Sequence, residues 1–106
     1  MQVFDLLTME AFPHEQRERN VFCQTPEFKA RIIDLGPGGA MSACRMSHIV
    51  VFYVLRGQVT VTVDSDSAVL GDGQCLVTDP ATISMHSEKG ARLMGFQIAP
   101  GTGQPR

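Results

Sequence analysis

The most regular apolar pattern in the chain runs from Ile49 to Val63, IVVFYVLRGQVTVTV. Apolar residues fill Ile49 to Leu55, and Arg56-Gly57 interrupts them. Val59, Val61 and Val63 then alternate with Gln58, Thr60 and Thr62. Such β-branched and aromatic residues suit a pleated, half-buried surface. The continuous half predicts a strand covered on both faces; the alternating half predicts one core face and one wet face. Upstream, Phe28 to Leu35 divides by parity. Phe28, Ala30, Ile32 and Asp34 share one face, and Lys29, Arg31, Ile33 and Leu35 the other, charged at its start. Ala40 to His48 leads into the central stretch. Val21–Cys23, Ala68–Leu70, Gln74–Thr78, Thr82–Ser87 and Ala91–Ala99 complete the predicted strands. Between them stand turn signals: Gly36-Pro37-Gly38-Gly39, Asp64–Ser67, Gly71-Asp72-Gly73, Asp79-Pro80 and Glu88-Lys89-Gly90.

About eight or nine short strands punctuated by Gly and Pro predict an all-β sandwich or barrel. An open sheet of so many short strands leaves exposed edges, so closure into a small antiparallel β-barrel is expected. Nothing predicts a long amphipathic helix. At the N-terminus, Phe4, Leu6, Leu7, Met9 and Phe12 fit neither period cleanly. They allow an edge strand or a short helix, and Pro13 stops either one. His14 to Asn20 reads as a solvated turn or short helix. Residues 1–27 are therefore expected to pack on the barrel or swap into a neighbour. Residues 28–99 form the barrel, and 100–106 a Pro/Gly-rich flexible tail.

Composition narrows the function classes. A chain of 106 residues makes one domain. The net charge of -2, with nine Lys and Arg scattered along the chain, argues against a nucleic-acid partner. Apolar runs fall far short of the roughly 20 residues that cross a membrane as a helix. The first residues carry Asp5 and Glu10 and no basic stretch, unlike a signal peptide. Cys23, Cys44 and Cys75 are odd in number without a CxxC spacing, which suits reduced thiols in a cytoplasm.

Two features, the Tyr53-Val54-Leu55-Arg56-Gly57 turn and the Leu70-Gly71-Asp72-Gly73 turn followed by the Asp79-Pro80 corner, resemble the cupin superfamily over roughly Phe28 to Ile98. The resemblance implies a double-stranded β-helix, or jelly roll, of the RmlC-like kind. The family's first motif sets two histidines and a glutamate between two glycines. Gly38 and Gly57 stand at the glycine positions with the spacing intact, but Cys44, Met46 and Val50 occupy the ligand positions. In the second motif Gly73 and Pro80 lie one residue too far apart. Its second glycine is Thr82, and its histidine position holds Met85, with His86 one step later. The family site resembles imidazoles and a carboxylate around a divalent metal. Here thiol, thioether and valine replace them, so no metal is expected and the barrel mouth turns apolar.

The candidate pocket is Cys44, Met46, His48, Val50, Phe52, Met85 and His86. In an unbroken strand His48 shares a face with Cys44, Met46 and Val50, which makes it the candidate acid or base. The alternative is a ring satisfied near the barrel rim. His86 points outward if its strand keeps the family register, and inward if a bulge absorbs the extra residue. Cys44, Met46, His48 and Met85 or His86 together make a weak soft-metal candidate, for Cu(I) or a divalent transition metal such as Zn(II). Methionine-rich core filling is the other reading of Met41, Met46, Met85 and Met94. Tyr53 is expected to face outward, where this family often forms a dimer interface. Asp34 is either an inward carboxylate near a histidine or a strand-end turn residue. Cys23 and Cys75 read as small buried hydrophobes, and His14, Glu15, Glu18, Asp64 and Asp66 as solvated surface.

Three functions follow as expectations. The first is a homodimeric, metal-free module that binds a small, mostly apolar molecule as a sensor, carrier or regulator. The second is an enzyme, using either a reworked Cys/His metal site or His48 as a metal-independent isomerase or lyase base. The third is a structural dimeric module with a closed barrel. This fold hosts many unrelated functions and does not choose among them.

Overall fold

The computed structural model describes residues 1–99; the tail expected at 100–106 lies outside the described residues. Nine strands follow a short 3-10 segment at His14–Asn20. They are β1 (Val21–Gln24), β2 (Phe28–Leu35), β3 (Gly39–Met46), β4 (Ile49–Gly57), β5 (Val59–Val63), β6 (Asp66–Leu70), β7 (Cys75–Thr78), β8 (Ala81–Ser87) and β9 (Ala91–Ile98). Two antiparallel sheets face each other. One has the order β1-β2-β9-β4-β7 and the other β3-β8-β5-β6. This is an all-β jelly roll. Among the described residues no helix is long and apolar enough to cross a membrane.

The central stretch is two strands rather than one. Pairing moves from β9 and β7 on β4 to β8 and β6 on β5, so the chain changes sheets at Gly57-Gln58. Val50, Phe52 and Val54 from β4 meet Val59 and Val61 from β5 in one core with Leu70, Ala81, Ile83, Met85, Ala91 and Leu93. Each of the larger side chains contributes about 1.5–3 kcal/mol by leaving water. The outer face of β4 is not covered as its apolar run predicts. Ile49, Val51 and Leu55 are half-buried and Tyr53 is exposed.

The strands share two ends. At one, the turns at Leu35–Gly39, Gly57–Gln58, Gly71–Gln74 and Ser87–Ala91 converge in a web of hydrogen bonds. The Gly57 amide donates to Asp72 Oδ1 at 2.6 Å. The buried Ser87 hydroxyl donates to the Gln58 carbonyl at 2.6 Å and accepts from the Gly90 amide at 2.9 Å. The Gly38 amide donates to the Glu88 carbonyl at 2.9 Å. These bonds satisfy the backbone where four strand connections meet, and they shut that end. The opposite end carries the Ser47-His48 connection, the Asp64-Ser65 hairpin and the Asp79-Pro80 corner. The hairpin tip is two residues, shorter than the predicted Asp64–Ser67, because Asp66 already pairs with Val63. Asp64 there accepts from the Thr82 amide at 3.0 Å, a tie to the next strand beyond simple solvation.

Residues 1–13 form neither the edge strand nor the helix allowed by the sequence. Asp5 Oδ1 accepts from the amides of Leu7 and Thr8 at 3.1 and 3.2 Å, and the Met9 amide donates to the Asp5 carbonyl, which makes a single capped turn. Arg92 on β9 holds that turn. Its Nε donates to the Leu6 carbonyl at 2.8 Å, its Nη2 to the Met9 carbonyl and its Nη1 to Asp34 Oδ2 at 2.7 Å. Asn20 adds a second clamp, accepting from the Phe12 amide at 2.7 Å and donating to its carbonyl at 3.0 Å. The segment thus packs on the outer face of its own barrel. Asp34 is neither an inward acid nor a free turn carboxylate. It pairs with Arg92 across the outer face, because register places the two opposite each other.

Candidate functional site

The barrel is hollow along its β2 and β3 side, from Leu35 and Ala40 near the shut end to Lys29, Met46 and His48 at the other. A cavity of about 530 Å³ lies between the β2-β9-β4 face and the edge strand β3, with the 3-10 segment at its rim. A closed, solidly packed barrel is therefore not what this chain forms. Residues directly opposite in an antiparallel ladder point to the same side, so the register reads out the cavity wall in rows. Ile33, Leu93 and Val54 make one row. Arg31, Gly95 and Phe52 make the next, and Lys29, Gln97 and Val50 the row nearest the open end. Gly95 lets its neighbours close in on the middle row. A methyl group there would meet Ile33 Cδ1 at 3.2 Å and both Arg31 Cγ and Phe52 Cε1 at 3.5 Å.

Of the expected pocket residues, Cys44, Met46, His48, Val50 and Phe52 line this cavity. Cys44 and Met46 sit opposite the buried Ile83 and Ala81 of β8, across a bulge between Met41 and Cys44. His48 reaches the cavity from the loop after β3 rather than from an unbroken strand. The Ser47 hydroxyl lies 3.2 Å from its Nδ1. Met85 and His86 do not belong to the site. Strand β8 is regular and pairs Met85 with Val61 and His86 with Thr60. Met85 is therefore buried in the core, and His86 is turned out to solvent. The bulge that would turn His86 inward is not present in β8. Cys75 is exposed on the edge strand β7 and Cys23 is half-buried, so neither is the buried hydrophobe expected.

A metal of the family's kind does not fit these donors. Val50 has none, and Met46 Sδ already accepts from Gln97 Nε2 at 3.6 Å. With His86 outside, the soft set of Cys44, Met46, His48 and His86 is split. Among the described residues no three His, Cys, Asp or Glu side chains are placed to hold a metal ion.

The residues that sequence reasoning missed are Lys29 and Arg31. Their shared parity was legible, but Ala30 and Ile32 made the opposite face look like the core face. Ala30 and Ile32 are indeed buried, on the outer side of the sheet that carries the N-terminal segment. Lys29 and Arg31 face the cavity with side chains 29% and 17% exposed. Glu18, at 72%, approaches Lys29 Nζ at 3.8 Å and Arg31 Nη2 at 3.6 Å from the 3-10 segment. Arg17 and Arg45 stand on the same rim, so the lining carries more positive than negative charge.

No family model matches the sequence, and no curated protein matches it. Solved structures do. A protein of Thermus thermophilus is similar with a TM-score of 0.78 at 23% identity, over 94% of this chain and 100% of that one. An RmlC-like cupin of Shewanella frigidimarina gives 0.65 at 24% identity, over 70% and 68% of the two chains. Salicylate 1,2-dioxygenase of Pseudoaminobacter salicylatoxidans gives 0.65 at 22% identity. It is matched over 71% of this chain and 21% of the dioxygenase. At these identities what is shared is the fold.

Proposed function

We propose that this chain of cupin fold is a small-molecule-binding module whose ligand lays a mostly apolar body in the barrel cavity, in a sensing, carrying or regulatory role. The carrying observation is the cavity of about 530 Å³, within the usual range for ligand sites, beside a buried apolar core. Its walls of Phe52, Val50, Ile33, Met41 and Met46 offer apolar contact. Methionines among them adapt to irregular shapes. His48 on the wall leaves room for acid–base work on whatever is bound. Three free thiols suit a reducing, cytoplasmic setting. The half-exposed apolar face of β4 and β9 supports a homodimer.

Gly95→Val tests the reading, because its side chain presses on Ile33, Arg31 and Phe52 and displaces them into the cavity. A thermal-shift screen of small apolar compounds is expected to yield hits that raise the melting temperature of the parent chain but not of Gly95→Val. At a hundredfold excess over Kd, the gain corresponds to about 2.7 kcal/mol. Hits that stabilise both proteins equally bind elsewhere, and the reading then fails.

A further inference from the structure

Resting on the reading of the cavity as a ligand site, we infer that its ligand carries a carboxylate, held by Arg31 and Lys29, on an apolar tail. Both cations are drawn well out of water on the cavity wall. Among the described residues, the one acid that their side chains pair with is the exposed Glu18. Ion pairs at 3.6 and 3.8 Å to a mostly exposed glutamate are weak. The five guanidinium donors of Arg31 are thus left largely for something else, and their fork matches a carboxylate. Asp34, the other acid near the wall, is engaged by Arg92. From Arg31 the wall turns apolar through Phe52 and Ile33, which suits a hydrocarbon or aryl tail.

Glu18 acts in this arrangement as a stand-in. Its carboxylate occupies the approach to both cations from the 3-10 segment, and an incoming carboxylate displaces it. Binding therefore competes with an internal acid, and removing that acid strengthens binding.

Calorimetric titration with octanoate and 4-phenylbutyrate, each beside its primary amide, tests this. The carboxylates are expected to bind at least about tenfold tighter than the amides. Arg31→Gln is expected to erase that preference, and Glu18→Gln to tighten carboxylate binding several-fold. Equal affinity for acid and amide overturns the carboxylate assignment while leaving the cavity reading intact. Binding of neither overturns both. Glu18 is on the surface, so Glu18→Gln remains informative even where Arg31→Gln folds poorly. Unchanged or weaker carboxylate binding in Glu18→Gln removes the stand-in and, with it, the assignment.

Discussion

Gly57 is held at φ +93°, a region that side chains other than glycine rarely adopt. A methyl group there would collide with the Gly90 carbonyl oxygen and lie 2.8 Å from Ala91 Cα, both backbone atoms. Neither strand end moves without breaking the web around Ser87. Gly57→Ala is therefore expected to cost about 3 kcal/mol or more, read as a lowered urea midpoint with an unchanged slope. A midpoint within error of the parent would show that the turn relaxes freely. Gly57 was legible in the sequence because it breaks an apolar run. Arg31 was only half legible. Parity grouped it with Lys29, Ile33 and Leu35, but apolar residues on both parities of β2 concealed which face turns inward. His86 depended on a bulge that no residue signals.

At the scale of elements, the N-terminal segment owes its place to one side chain. Arg92 is 5% exposed, and its three polar contacts join Leu6, Met9 and Asp34. A buried guanidinium left without partners is costly, so the segment and the residue hold each other in place. Arg92→Met keeps the length and apolar stem but loses every bond to the segment. It is expected to destabilise by about 2 kcal/mol and to open residues 1–13 to proteolysis, mapped by mass spectrometry of limited digests. Digests that match the parent's would mean that Phe4, which packs on Phe22 with ring centroids 4.9 Å apart, and Asn20 suffice. None of this was readable in advance. Arg92 stands far along the chain from Leu6, and the apolar spacing of the segment records packing on a surface rather than a period. The strands and their order of turns were readable, since alternation and Gly/Pro punctuation are local. The break between β4 and β5 was marked by Arg56-Gly57, but a change of sheet and a simple kink look alike in sequence.

For the whole molecule, the outer face of the five-stranded sheet sets the expected assembly. Phe28 and Phe96 stack there with centroids 4.7 Å apart, beside Ile49, Val51 and Tyr53 on a continuous apolar surface. The run from Ile49 to Leu55 is apolar on both parities, as for a strand covered on both faces, and a second copy is the cover that we propose. Light scattering at micromolar concentration is expected to give twice the chain mass, and Val51→Glu to give the single-chain mass. A monomer for the parent chain rules the dimer out. The two ends of the barrel have a separate consequence. Among the described residues the glycines at positive φ, Gly38, Gly57, Gly73 and Gly90, all belong to turns at the shut end, whereas Lys29, Cys44, Met46 and Val50 lie towards the other. The turns that close the barrel and the polar groups of the cavity wall are thus written in different residues, with Val50 and Phe52 shared between core and wall. Evolution, or a protein engineer changing the wall residues outside the core, such as Lys29, Cys44 and Met46, is able to exchange one cargo for another while the turns that close the barrel stay as they are.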